Sequence, residues 1–182
     1  MLRALIALLA LAALPVRAHA APSPMFEMFE RLCLATQGEP DAVAKASADW
    51  TTVDDLPPLQ GLGAPFDTVS VHSRPAPAAS MEDYLLVAGV HREEGLQRRT
   101  CTLTGPGDPT SGPATRAWAG GAKPLLGGDA LMASYLLIDT PTGRRAATPA
   151  EAKDDANATR LISVTVSTQL DLTMLSLTTF AP

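Results

Sequence analysis

Residues 84–104 constrain the fold of this chain more than any other stretch. Apolar and polar side chains alternate over Tyr84–Arg92 and again over Leu96–Thr104, which predicts two half-buried strands. Between them lies Glu93-Glu94-Gly95, where Gly can adopt the left-handed conformation that a three-residue hairpin loop requires. We therefore expect an antiparallel hairpin here, with Cys101 on its second strand.

Further strands are predicted from β-branched or strongly apolar stretches that end at turn residues. They are Phe66–Ser73, Asp129–Asp139, Arg160–Ser167 and Leu170–Phe180. Thr168-Gln169 is expected to form a tight turn between the last two strands. Because most of these strands follow one another as hairpins, the sheet is expected to be antiparallel.

Two short helices are predicted before the first strand. The first begins at Ser23-Pro24, since Ser is a good N-cap residue and Pro suits the first helical position, and it ends at Gly38. The second begins at Pro40-Asp41 and carries an apolar stripe that ends at Trp50.

The order of these elements predicts an α+β fold. We expect two N-terminal helices packed on an antiparallel sheet of five to six strands. Residues 105–128 are rich in Gly and Pro and are expected to be mainly loop, with room for a short helix around Pro113–Trp118. Residues 21–182 are enough for a single domain with its own core.

The first twenty residues have the pattern of a cleavable secretory signal. Arg3 provides a short positive region, an apolar stretch of about a dozen residues follows, and Pro15 breaks the helix. Ala18-His19-Ala20 is a small-x-small cleavage site. We therefore expect residues 1–20 to be a signal peptide and the mature protein to be periplasmic or secreted.

Charge and hydropathy exclude several classes of partner. The chain has 14 basic and 19 acidic residues, a net charge of −5 that becomes more negative once Arg3 and Arg17 are removed. An acidic domain without a basic run argues against nucleic acid and anionic membrane surfaces as partners. No apolar run after residue 20 is long enough to span a bilayer, so no transmembrane segment is expected after signal cleavage.

The two cysteines, Cys33 and Cys101, predict a disulfide. An even number of cysteines in an exported protein usually means that they are paired, and two cysteines allow one intramolecular bridge. The alternative is two buried free thiols. A bridge between the first helix and the second hairpin strand would hold that helix on the sheet.

Several of these features occur together elsewhere. Phe29 and Cys33 form an F-x-x-x-C pattern on the first predicted helix, and Cys101 lies on a strand that is followed by Gly105. In this the chain resembles a group of small uncharacterised exported proteins of Gram-negative bacteria. The resemblance implies a disulfide and an envelope location. The group has no known activity, so no residue inherits a catalytic role from it.

The sequence lacks the usual catalytic and phosphate-binding signatures, and we expect neither cofactor nor metal. His72 and His91 are the histidines that remain after signal cleavage, and either could serve as a general base beside an acid. The competing interpretation is that both lie exposed at strand ends and do no chemistry. Their spacing fits no common metal-ligand pattern.

Trp118 is the remaining candidate contact residue. It lies in a Gly-flanked region, where an indole ring could stack on a ligand or simply cover a small apolar cluster. The sequence thus favours a non-catalytic binding or interaction domain, with His72, His91 and Trp118 as possible ligand or partner contacts. Two alternatives stay open: a structural envelope protein, and a hydrolase or lyase that uses His72 or His91.

Overall fold

The computed structural model describes residues 23–54, 66–77, 83–93, 95–128, 131–169 and 171–182. The expected signal peptide, residues 1–20, lies outside the described residues. Among the described residues, no helix combines the length and apolar character needed to cross a membrane.

Nine strands form the framework of the part of the molecule that the structure describes. They are β1 (Thr51–Thr52), β2 (Thr68–Arg74), β3 (Tyr84–Glu93), β4 (Leu96–Pro106), β5 (Leu126–Gly127), β6 (Met132–Thr140), β7 (Gly143–Ala146), β8 (Leu161–Gln169) and β9 (Leu172–Ala181). All pair antiparallel in one sheet of order β1-β2-β3-β4-β9-β8-β6-β5, and β7 pairs with the outer side of β6 beyond β5.

Three short α-helices accompany the sheet. They are α1 (Pro24–Phe29), which continues as a π-helical turn over Glu30–Leu34, α2 (Pro40–Ala46) and α3 (Ser111–Trp118). Ser23 caps α1 as expected, because its hydroxyl accepts a hydrogen bond from the backbone N–H of Phe26 at 3.0 Å. Two 3₁₀ segments, Glu151–Lys153 and Asp155–Arg160, precede β8.

The expected mixture of helices and one antiparallel sheet is confirmed, but the expected numbers of elements are wrong. The sheet has nine described strands rather than five to six, and α3 is a third helix besides the two N-terminal ones. The six strands predicted from alternation are all present. The three missed strands, β1, β5 and β7, have two to four residues, too few for alternation to be recognised.

Two predicted turns also differ in detail. Thr168 and Gln169 do not form a turn; they end β8 and pair with Thr173 and Leu172 of β9. In the first hairpin Glu93 pairs with Leu96, so the strands extend further than a three-residue loop would allow. Gly95 does adopt the left-handed conformation, with φ of 85°.

One face of the sheet carries the hydrophobic core. Side chains on alternate positions of the central strands form rows across this face, such as Leu86, Leu103, Leu175 and Val166. The apolar sides of the helices cover them, and the largest buried side chains there include Met25, Phe29, Leu32, Val43 and Tyr135. The helices therefore remain folded through tertiary packing, since such short helices are marginal alone.

The disulfide Cys33–Cys101 joins the helical layer to the sheet. The Cα atoms are 5.5 Å apart, and neither side chain is exposed to solvent. The predicted bridge is therefore confirmed, and the free-thiol alternative is wrong. Gly38 follows in the left-handed conformation, and a Cβ there would lie 3.5 Å from the Cβ of Cys101, so the end of the first helix lies directly on β4.

A second tie involves the carboxylate of Asp108 in the loop after β4. It accepts hydrogen bonds from the Ser23 hydroxyl at 2.7 Å and from the backbone N–H of Met25 at 3.3 Å. It also accepts from the backbone N–H of Thr110 at 2.9 Å and from the Thr110 hydroxyl. One acidic side chain thus lies at the N-termini of both α1 and α3, where the helix dipoles favour negative charge.

Candidate functional site

A cavity of about 170 Å³ lies at the corner of the sheet where the helices end. Its walls come from the end of the first helix, the end of α3, the β6–β7 hairpin, the second 3₁₀ segment and the ends of β8 and β9. The lining residues are Leu34, Gln37, Trp118, Asp139, Arg144, Thr159, Arg160, Leu161, Ile162, Leu177, Thr179 and Phe180. We call this space the Trp118 cavity.

Trp118 forms one wall of the cavity as the last residue of α3. The guanidinium of Arg144 stacks on the indole, with Cζ 4.2 Å from the ring centroid. The ring of Phe26 meets the indole edge-on, with the centroids 6.5 Å apart. The indole is thus held in place by the core on one side and by a cation on the other.

Arg144 is oriented by Asp139, which lies directly opposite it on β6. Its Nε donates to one carboxylate oxygen at 2.8 Å, and its Nη2 donates to the other at 3.4 Å. This two-point pairing fixes the plane of the guanidinium over Trp118. Nη1 of Arg144 makes no hydrogen bond within the described part of the chain. Its N–H groups therefore remain available to a ligand in the cavity.

Arg160 completes the polar side of the cavity. Its Nε and Nη2 donate to the backbone carbonyl of Asp139 at 3.2 and 3.0 Å, and its Nη1 donates to the Asn157 side chain at 3.3 Å. The cavity wall therefore holds two guanidinium groups and a single carboxylate. It carries a net positive charge in a chain whose overall net charge is −5.

The cavity lining also has apolar members. Leu34, Ile162 and Leu177 supply them, and Leu177 is almost fully buried. Gln37 lies at the exposed rim, and its backbone carbonyl accepts a hydrogen bond from the Thr179 hydroxyl at 2.7 Å. An apolar pocket with a few fixed polar groups is the usual form of a small-molecule site.

The sequence had singled out Trp118 but none of its polar neighbours in the cavity. Arg144 and Asp139 meet because β7 folds back on β6, and this four-residue strand has no recognisable pattern. Among the described non-glycine residues, Gln37 has a positive φ, of 53°. Glutamine rarely adopts this conformation, so the sequence does not predict it.

His72 lies far from this cavity in the fold and does not line it. The expectation that it would be exposed at a strand end is wrong, because it is only 7% exposed within β2. Thr52 of β1 pairs with it, and α2 packs against β2 and β3 above this face. Its Nε2 is buried with no hydrogen-bond partner in the described part of the chain, as is Nε1 of Trp50.

Burial determines the protonation of His72. Desolvation lowers the pKa of its imidazole below the ordinary value of 6.5, so the folded protein holds it neutral at pH 7. The unfolded chain then binds more protons than the folded one as the pH falls through 6.5. The stability that depends on neutral His72 is present above that pH and is lost progressively below it.

We therefore expect the free energy of unfolding to decrease between pH 7.5 and pH 5.5. The His72→Gln variant removes the titrating group, so its unfolding free energy should vary less with pH over this interval. Urea unfolding at a series of pH values measures both curves. A slope in the His72 variant equal to that of the original protein would contradict the assignment.

His91 occupies a third place, near the tip of the first hairpin. Its Nδ1 is 3.7 Å from a carboxylate oxygen of Asp67, and it pairs across the hairpin with Arg98. Its side chain is 20% exposed, and it does not line the Trp118 cavity. The three predicted contact residues are therefore not brought together by the fold.

No group of three or more His, Cys, Asp or Glu side chains suited to a metal ion occurs among residues that the structure describes. Comparison of the chain with protein families, curated proteins and solved structures finds no match. An assignment of function therefore has to come from the geometry of the chain's own residues.

Proposed function

We propose that this protein is an exported, non-catalytic binding domain that takes up a small molecule in the Trp118 cavity. The observation that carries the proposal is the construction of the cavity wall, where Arg144 is fixed between Trp118 and Asp139. A side chain held by stacking and by two hydrogen bonds loses little further freedom when a ligand binds, which favours affinity.

Export is supported by the buried disulfide together with the signal pattern of residues 1–20. Disulfides form and persist in oxidising compartments such as the bacterial periplasm. The same bridge holds the first helix on the sheet and so fixes Leu34 and Gln37 at the cavity, one and four residues beyond Cys33. A periplasmic or secreted binding protein fits both observations.

The proposal is tested by a thermal-shift screen of the disulfide-bonded protein. The panel contains metals, nucleotides, sugars, peptidoglycan fragments, amino acids and fatty acids. A ligand that binds only the folded state raises the free energy of unfolding, by about 2.7 kcal/mol when its concentration is a hundred times its Kd. The melting temperature therefore rises with ligand concentration. We expect such a rise with at least one class.

The same screen is repeated with Trp118→Leu and with Trp50→Phe as the control. Trp50 packs against Tyr84 at the other end of the core, with ring centroids 6.4 Å apart, and does not line the cavity. We expect the ligand-induced shift to be lost in Trp118→Leu and kept in Trp50→Phe. A flat response across the panel, or a shift that survives in Trp118→Leu, would contradict the proposed function.

A second candidate function, a structural envelope protein, is favoured by a different observation. Large apolar side chains are exposed near the start of β6 and β9: Leu125 at 64%, Leu126 at 61%, Leu131 at 58% and Leu172 at 39%. Large apolar side chains exposed in one region of the surface often mark a protein contact. Chemical crosslinking in the envelope distinguishes the two functions. The double variant Leu125→Ser with Leu126→Ser should abolish crosslinks only if the surface around these leucines binds a partner protein.

A further inference from the structure

The charges and dimensions of the Trp118 cavity restrict the chemistry of its ligand. We infer that this ligand is a small organic monoanion, a carboxylate attached to a flat apolar body about as large as one six-membered ring. The inference rests on the proposed function and goes beyond it by naming the class of molecule.

The sign of the ligand follows from the charged groups in the wall. The Asp139 carboxylate pairs with Arg144, while Arg160 donates to the backbone carbonyl of Asp139, so the guanidinium of Arg160 has no counter-charge among the lining residues. A bound monoanion neutralises this excess, whereas a cation would be repelled. Asp139 and Arg160 are exposed at the mouth of the cavity, so the interaction with a bound anion is expected to weaken as salt is added.

The nature of the anionic group follows from the free donors. Two of the three nitrogens of Arg144 are occupied by Asp139, while Nη1 has no partner within the described residues. Stacking on Trp118 holds this nitrogen in position before a ligand arrives. A carboxylate oxygen is a suitable acceptor, since hydrogen bonds between a guanidinium and a carboxylate are among the strong ones in proteins.

The size and shape of the ligand follow from the remaining wall. A dry cavity of about 150 Å³ can hold a benzene molecule, and the Trp118 cavity measures about 170 Å³. Leu34, Ile162 and Leu177 offer apolar contacts for such a body.

Gln37 lies at the rim of the cavity and ends the first helix in the left-handed conformation, with φ of 53°. Its backbone N–H donates to the carbonyl of Leu34, an arrangement common at helix C-termini, although this region of φ is unfavourable for a residue with a Cβ. Gln37→Gly should therefore leave the melting temperature unchanged or higher, yet weaken binding, because the amide at the rim is lost.

The experiment uses isothermal titration calorimetry of the disulfide-bonded protein with three probes of similar size that share one aromatic ring. Benzoate is the anion, benzyl alcohol the neutral analogue and benzylamine the cation. We expect benzoate to bind at least about tenfold more tightly than benzyl alcohol, a difference of about 1.4 kcal/mol. Benzylamine should not bind, and the benzoate affinity should fall as salt is added.

Variants identify the groups responsible. Arg144→Met should reduce the benzoate affinity to that of benzyl alcohol, and Gln37→Gly should reduce it without loss of stability. Arg92→Met is the matched control, because Arg92 is exposed at the hairpin and does not line the cavity. If Arg144→Met fails to fold, the monoanion inference is tested by the salt dependence of benzoate binding and by the Gln37→Gly variant.

The possible failures are distinguishable. If benzoate and benzyl alcohol bind equally, or if none of the three binds while another ligand gives a shift that requires Trp118, the monoanion inference is wrong and the proposed function stands. If no probe and no member of the screening panel binds, both are wrong.

Discussion

Removing the disulfide through Cys33→Ala with Cys101→Ala is expected to lower the free energy of unfolding by about 4 kcal/mol. The bridge closes a loop of 68 residues, and in the chain-entropy model a loop of this length strongly restricts the unfolded chain. Both sulfur atoms are buried, so the paired alanines also leave a small cavity between helix and sheet. Urea unfolding of the double variant measures the loss.

Reduction of the original protein with dithiothreitol provides a control, because it opens the bridge without changing any side chain. The reduced protein should lose stability comparable to the double variant. The Trp118 cavity should also lose affinity in both cases, since Leu34 and Gln37 are held by the bridged helix. A double variant within about 1 kcal/mol of the original protein would contradict a stabilising role for the bridge.

Asp108→Ala is expected to cost about 3 kcal/mol of unfolding free energy. The substitution removes the acceptor for the Ser23 hydroxyl, for the backbone of Met25 and for Thr110. Ser23 is 2% exposed, so its hydroxyl would lose a partner that water cannot easily replace. Because the same carboxylate lies at two helix N-termini, α1 and α3 should loosen together. Hydrogen exchange of their backbone amides measures this.

Asp108→Asn is the matched control, because it keeps the size and one acceptor oxygen but removes the charge. We expect it to lose part of the stability that the alanine variant loses. Burial by itself would raise the pKa of the Asp108 carboxyl, but hydrogen bonds from Thr110, Ser23 and Met25 outweigh it and hold that pKa below the ordinary value of 3.8.

The lowered pKa of Asp108 predicts the direction of the acid response. Near and below pH 3.8 the unfolded chain binds a proton that the folded protein resists, so this contribution to stability is present above that pH and lost below it. The original protein should therefore lose more stability than Asp108→Asn between pH 5 and pH 3. Parallel curves for the two proteins, or full stability of Asp108→Ala, would overturn the capping role.

The sequence determined those parts of the molecule that depend on neighbouring residues. Alternation over Tyr84–Arg92 and Leu96–Thr104 is a local consequence of pleating, and both strands are present. Ser23-Pro24 begins a helix because the cap needs only residues three positions away. The disulfide pairing was also predictable, because two cysteines allow a single intramolecular bridge.

The tertiary structure alone decided the burial of His72 and the width of the sheet. β1, β5 and β7 exist because a neighbouring strand offers unpaired backbone groups, not because two to four residues favour a strand. The interpretation that His72 lies exposed at a strand end is wrong, because β1 pairs beside it and α2 packs on β2 through contacts between separate segments of the chain.

The candidate site is also among the features that only the tertiary structure decided. The sequence identified Trp118 as a possible contact, since a tryptophan near glycines can be recognised from neighbouring residues alone. The stacking of Arg144 on that indole and its pairing with Asp139 arise only when β7 folds back beside α3. Local pattern determines which elements form, because it reflects contacts within a few residues. The cavity and its charge depend on the packing of elements from both halves of the chain, which local patterns do not encode.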